Sequence, residues 1–222
     1  MKKRTALVLG ASGLIGSELV KQLANSPYYE KVTLLVRKTL SIEHSTIEQV
    51  EVDFDALDEH TALFKVDDVY SVLGTTIKKA KSKEQFKKVD YTYTLKAAKL
   101  AKQEGATTFL TVTSLGAKST SLFFYSRVKG EVEKALQELK LPSVHIFQPS
   151  LLLGHRKEWR QGERLAESIA KRTSFLFKGP FEKYKPIEAK VVAQRMYETA
   201  LKARNGYHVY PSDLIQKGEK SS

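Results

Sequence analysis

Three glycines spaced three apart, Gly10, Gly13 and Gly16, follow directly on the apolar run Ala6 to Leu9, and apolar positions then recur at Leu14, Ile15, Leu19, Val20 and Leu23. That recurrence is helical, so the order is strand, glycine loop, helix. In this order the backbone N–H groups of a helix N-terminus can cradle a pyrophosphate. Gly10 permits the tight turn, Gly13 lets the backbone approach a phosphate with no Cβ in the way, and Gly16 lets the helix pack close to the strand. The spacing is G-x-x-G-x-x-G rather than the more general G-x-G-x-x-G. Glycines also make ordinary turns, but between a buried strand and an amphipathic helix nucleotide binding is the favoured reading.

A chain of 222 residues suffices for one α/β domain with a small appendage. The absence of cysteine excludes disulfides, thiolate metal sites and a cysteine nucleophile. The five histidines show no ligand spacing, so no metal is expected. No apolar run is long enough to span a bilayer, and the one after Met1-Lys2-Lys3-Arg4 is too short for a signal peptide, so a cytoplasmic location is the default expectation. The net charge of +12 raises nucleic acid or an acidic membrane as partners. The lysines are spread along the chain, however, and no nucleic-acid module accompanies them, so neither partner is expected. The densest group, Lys78, Lys79, Lys81, Lys83, Lys87 and Lys88, reads as a solvated loop and helix start; its simplest functional use would be attraction of an anionic cofactor or substrate.

Further apolar runs follow. Val32–Val36 reads as a second strand, covered on both faces. It ends in Arg37-Lys38, where a dinucleotide fold that prefers NAD would place an acid for the ribose 2′-hydroxyl. Two cations there favour a 2′-phosphate, hence NADP over NAD. A third strand, Ile47–Phe54, carries Asp53, which could accept from the adenine amino group or cap the helix that follows. Asp68–Thr76 reads as a fourth strand running into a Gly-Thr turn, which would set Leu73, Gly74 and Thr75 beside the cofactor at a strand carboxyl end. A long helix is expected over 82–103, a fifth strand over 107–113 delivering Ser114, a helix over 122–136 and a sixth strand over 144–148. Five or six strands alternating with helices predict a parallel, doubly wound sheet.

Tyr125 and Lys129 are four apart on the helix after the fifth strand and so share a face. A nearby ammonium favours a phenolate, which suits a tyrosine to general acid–base work. Ser114 could hydrogen-bond a substrate carbonyl oxygen. With ten tyrosines and 28 lysines in 222 residues, about one Tyr-x-x-x-Lys arises by chance. The weight of the pair comes from its position, eleven residues beyond a serine at a strand end, within reach of a nicotinamide in the crevice.

Taken as an ordered set, the glycine loop, Leu35-Val36-Arg37-Lys38, Leu73-Gly74-Thr75-Thr76, Val89-Asp90, Ser114-Leu115-Gly116-Ala117, Tyr125 through Glu133 and Pro149 through Leu153 resemble an atypical short-chain dehydrogenase/reductase, and within it the Tat-interacting-protein oxidoreductase family. The resemblance runs from residue 4 to about 200. It implies a Rossmann fold and NADPH held by Ser12, Gly13, Leu14, Ile15, Arg37, Lys38, Leu73, Gly74, Tyr125 and Lys129, with Pro149 and, less firmly, Arg156 beyond the sixth strand. It implies Ser114, Tyr125 and Lys129 as the catalytic trio. Many superfamily members carry an asparagine where this chain has Asp90, which leaves the proton path unassigned.

These readings give a Rossmann domain over 1–154 and a C-terminal, substrate-side segment over 155–222. That segment contains Trp159, an amphipathic run over 163–171, the aromatic group Phe175, Phe177 and Phe181 (core or substrate wall), a helix over 188–202 and a final strand over 207–210. The expected function is an NADPH-dependent oxidoreductase acting on a small carbonyl or alcohol; the alternative is an NADPH-binding regulatory protein with little turnover. A homodimer is plausible, and the substrate is not named by the sequence.

Overall fold

The structure is a computed structural model that describes residues 3–154, 179–202 and 204–218, the side chains of 179–181 aside. Its elements are β1 (Arg4–Leu9), α1 (Leu14–Ala24), β2 (Tyr29–Val36), β3 (Ile47–Glu51), β4 (Asp68–Ser71), α2 (Ile77–Ala80), α3 (Lys83–Lys87), α4 (Thr94–Gln103), β5 (Thr108–Val112), α5 (Phe124–Glu138), β6 (Ser143–Gln148), β7 (Leu152–Leu153), β8 (Ile187–Glu188), α6 (Ala189–Lys202), β9 (Gly206–Pro211) and α7 (Ser212–Lys217). A kinked 3₁₀ stretch, Phe54–Phe64, joins β3 to β4. Seven strands form one parallel sheet in the order β3-β2-β1-β4-β5-β6-β9, and β7 pairs with β8. The order reverses across β1 and β4, the switch point at which a doubly wound sheet opens a crevice beyond its strand carboxyl ends. The expected Rossmann architecture is therefore present, with the final strand expected over 207–210 as the seventh member of the sheet.

Alternation along β1 supplies both faces of the core, because successive side chains of a strand point to opposite sides. Ala6 and Val8 join Ile15, Leu19 and Leu23 of α1 and Val192, Ala193 and Met196 of α6. Leu7 and Leu9 join Ala97 and Ala101 of α4 and Val132 and Leu136 of α5. The C-terminal elements thus belong to the body of the fold, with β9 completing the sheet beside β6. At the opposite end from the crevice, Arg4 pairs Asp68 through Nε and Nη2 at 2.7 and 2.6 Å, and Tyr29 donates to the same carboxylate at 2.6 Å. Burial pushes the Asp68 carboxyl up, against the opposing pull of Arg4 and Tyr29.

Three expected boundaries move, each for a local reason. β3 ends at Glu51, and Asp53 caps the 3₁₀ stretch by accepting from the Asp55 N–H at 2.9 Å. The fourth strand, expected to run into a turn at Gly74-Thr75, stops at Ser71, level with Leu9 at the end of β1, and the chain then lies close over Gly10, where a Cβ would be 2.6 Å from the Val72 carbonyl oxygen. The expected helix over 82–103 starts as foreseen, with Ser82 capping the Gln85 N–H at 3.0 Å, but a π-helical turn, Lys88–Tyr93, interrupts it. The extra residue of a π turn leaves no mark on apolar periodicity. Arg156, Trp159, the run over 163–171, Phe175 and Phe177 lie outside the described residues, as does the side chain of Phe181.

The glycine turn is tight enough to be tested directly. Gly10 has φ +93°, and a Cβ on Gly16 would collide with the Gly10 carbonyl. Gly16→Ala should lower stability by about 1–3 kcal/mol, the usual cost of overpacking a close contact; urea unfolding reads this as a lower midpoint, and an unchanged midpoint would contradict the contact.

Candidate active site

The glycine loop lies where its spacing placed it, between β1 and α1. Gly13 is the N-cap of α1 and offers no side-chain cap, the Gly13 N–H bonds back to the Gly10 carbonyl at 3.0 Å, and no acid sits in the first turn. A helix N-terminus without a capping side chain or carboxylate suits a phosphate. Ser12 and Gly13 are exposed, Leu14 is half-buried, and Ile15 and Gly16 are buried in the helix–strand contact. Arg37 and Lys38 stand exposed just past β2, and the pairing of Leu9 with Leu35 brings the ends of β1 and β2 side by side next to the glycine loop. Asp53 is exposed and serves as a cap, so one of its two expected roles is met. Leu73, Gly74 and Thr75 follow β4, with the Thr75 N–H donating to Asp90.

On the other side of the crevice, Ser114 follows β5 and its Oγ is buried with no hydrogen-bond partner among the described residues. A buried hydroxyl left without a partner is costly, so Ser114 has a hydrogen bond to offer. The Leu115 N–H bonds the Pro149 carbonyl at 2.9 Å, so buried Pro149 ties the loops after β5 and β6 together. The chain then lies across α5: the Lys118 N–H bonds the Ser126 carbonyl at 3.0 Å, and a Cβ on Gly130 would run into Lys118 and Ser119. Gly130 thus lets the loop that begins at Ser114 settle on the helix that carries Tyr125 and Lys129.

Tyr125 and Lys129 differ sharply in environment. Tyr125 is 39% exposed, its ring 5.5 Å from that of buried Phe86, whereas Lys129 is only 5% exposed. The Lys129 ammonium forms an ion pair with Asp90 Oδ1 at 2.7 Å, and Asp90 Oδ2 accepts from the Thr75 N–H at 3.0 Å. Asp90 lies within the π turn, a distortion frequent at functional sites. One helical turn beyond Lys129, Glu133 accepts from Thr113 and from Gln148 Nε2 at 2.9 and 3.0 Å. Burial pushes the Glu133 carboxyl up, while these donors and the charge of Lys129 hold it down. The sequence reading assigned neither carboxylate a role. Glu133 could have been found from its spacing, four after Lys129; the partner of Lys129 could not, because it depends on the π turn.

The lysine group is partly paired: Lys87 meets Glu131 at 3.0 Å, Lys88 meets Asp55 at 2.7 Å, and Lys83 lies over the Phe124 ring at 5.5 Å. Among the described residues no cluster of acids and histidines could hold a metal ion, and no helix is long and apolar enough to cross a membrane.

The pair is open to a thermodynamic test. A lone buried charge costs several kcal/mol when its partner is removed. Asp90→Ala should therefore lose about 3–5 kcal/mol in urea unfolding, and Asp90→Ala with Lys129→Met should recover a good part of it. Simple addition of the two losses would contradict the buried pair.

Comparison with known proteins agrees with this geometry. Residues 10–166 match a family described as NAD(P)H-binding. The rat protein HTATIP2 is 41% identical over 173 residues, covering 76% of this chain and 71% of its own length. Protein FMP52, mitochondrial, of Candida albicans is 35% identical over 209 residues, covering 91% and 90%. Among solved structures, MoeE5 in complex with UDP-glucuronic acid and NAD aligns with a TM-score of 0.71 at 17% identity, covering 92% of this chain and 75% of its own. A UDP-glucose 4-epimerase from Thermotoga maritima aligns with a TM-score of 0.68 at 14%, with the same coverage; likeness at this identity speaks for the fold alone. The expectation of a cytoplasmic location is corrected: several relatives from yeasts are named as mitochondrial, and a short apolar N-terminal run does not fix a compartment. The NAD(P)H-binding family match and the relatives support a nucleotide-dependent oxidoreductase. The chain belongs to the NAD(P)H-binding Rossmann family that includes HTATIP2 and the FMP52 proteins.

Proposed function

We propose that this protein is an NADPH-dependent oxidoreductase acting on a small carbonyl or alcohol. The observation that carries the reading is the convergence of the uncapped α1 N-terminus, the partnerless Ser114 hydroxyl and the Tyr125–Lys129 helix at one end of the sheet. The loop N–H groups from Ser12 to Ile15 would hold the pyrophosphate, with Leu73 and Gly74 beside it and Arg37 and Lys38 facing a 2′-phosphate. When bound, the nicotinamide supplies or accepts the hydride. Ser114 donates a hydrogen bond to the substrate oxygen, and Tyr125, exposed toward solvent and braced by Phe86, gives or takes the proton at that oxygen. Lys129, one turn after Tyr125 on α5, would hold the ribose of the bound dinucleotide.

One observation favours a second reading, a dinucleotide-binding protein with little turnover: Lys129 is already engaged by Asp90. A panel of aldehydes and ketones separates the two, since saturable NADPH binding with no oxidation anywhere on the panel supports the second.

Tyr125→Phe should cut kcat by about 10²–10⁴-fold, the range for losing a general acid–base, with NADPH affinity nearly unchanged. Unchanged turnover in that variant would remove Tyr125 from the mechanism. Replacing Arg37 and Lys38 together by alanine should reduce the preference for NADPH over NADH by about 10–100-fold, as loss of charged hydrogen bonds to a phosphate predicts; binding titrations with both cofactors check it, and an unaltered ratio would place the 2′-phosphate elsewhere.

A further inference from the structure

We propose that Asp90 is a positioning residue: its carboxylate fixes the Lys129 ammonium and joins it to the Thr75 backbone, so that the β4 loop and α5 present one prearranged half of the dinucleotide site. This rests on the functional reading above and deepens it.

The carboxylate is used on both sides. Oδ1 lies 2.7 Å from the Lys129 ammonium, an ion pair without hydrogen-bond geometry, and Oδ2 takes the Thr75 N–H at 3.0 Å, with the side chain wholly buried. An ammonium has three N–H bonds, so engagement by one carboxylate leaves the others for a ligand. Glu133, the other carboxylate whose charge reaches Lys129, is occupied by Thr113 and Gln148, which leaves Asp90 to set the position of the ammonium.

The backbone is distorted where Asp90 sits. Phe86 ahead of the π turn is buried against Phe124 and Tyr125, and Ala97 and Ala101 behind it are buried against the sheet. One extra residue shifts helix phase by about 100°, so the turn reconciles these two packed faces and places Asp90 between them. A buried ion pair is seldom more stable than apolar packing of the same volume. The arrangement is therefore better understood as orientation of Lys129 than as support for the fold.

The Thr75 contact makes the consequence specific. Leu73 and Gly74, assigned above to the cofactor, precede the residue whose N–H Asp90 holds. The same carboxylate thus sets the lysine and the loop relative to each other. An asparagine could keep the shape and accept one hydrogen bond but would supply no charge to hold the ammonium.

The test is a double-mutant cycle read by NADPH binding, followed by cofactor fluorescence on the full chain: parent, Asp90→Asn, Lys129→Met and the two combined. If Asp90 acts through Lys129, Asp90→Asn weakens NADPH binding by about tenfold in the parent and by less than about twofold once Lys129 is methionine. Equal losses in both backgrounds would show that Asp90 works through the Thr75 backbone alone, and no loss in either would show that it does not serve the cofactor; each overturns the proposal. Should Asp90→Asn fail to fold, comparing Lys129→Met with the combined variant, from which the buried charge pair is gone, still decides: matched affinities support the proposal and a further loss overturns it. If the parent binds no NADPH, the functional reading falls and this inference falls with it, a result distinct from binding with additive losses.

Discussion

How closely α1 approaches the end of β1 governs the rest of this fold. Gly16 rests against the Gly10 carbonyl with no room for a Cβ, and Gly10 itself passes under the Val72 carbonyl. Two backbone contacts without side chains therefore bring the first helix and the β4 loop together at the switch point of the sheet. They aim the N-terminus of α1 across the crevice, where its dipole and free N–H groups favour an anion. Larger residues would open this junction and change the distance between the glycine loop and the far wall at Ser114 and Tyr125.

That far wall is organised by charge buried in the helices. Lys129 would be an expensive buried cation without Asp90, and half-buried Glu133 a costly carboxylate without Thr113 and Gln148. Each acid ties α5 to a different neighbour: Asp90 to the loop after β4, Glu133 to the ends of β5 and β6. Gly130, between them on the same helix, admits the loop that begins at Ser114. Tyr125 on the same helix is left partly open to solvent, as its proposed role at the substrate oxygen would require. At the opposite end of the sheet, Arg4, Asp68 and Tyr29 close the bottom of β1, β2 and β4, far from the crevice and with no part in it.

Local signals in the sequence carried most of this. Glycine spacing, apolar runs and the order of strands and helices led to the parallel sheet, the tight glycine loop before α1 and the helix bearing Tyr125 and Lys129, because each depends on residues close together in the chain. The extent of β4 was not legible, since it ends level with its partner β1, more than sixty residues earlier in the chain. Asp90 was visible only as a departure from the usual asparagine. Its partnership with Lys129 needs both a π turn, which apolar periodicity does not record, and a contact across 39 positions of sequence. Asp53 had two readings from sequence alone; the cap is a local interaction and appears in the fold, while the adenine contact would need the ligand. The cytoplasmic expectation failed for another reason: compartment is not a property of the folded core, and only the relatives bore on it.

The most direct measurement is a calorimetric titration of the purified chain with NADPH and, separately, with NADH. A site built from the α1 N-terminus, Arg37 with Lys38 and the Lys129 wall should bind one dinucleotide per chain, with NADPH the tighter of the two. The absence of heat with both would contradict the assignment of the crevice, and with it the roles given to Ser114, Tyr125, Lys129 and Asp90.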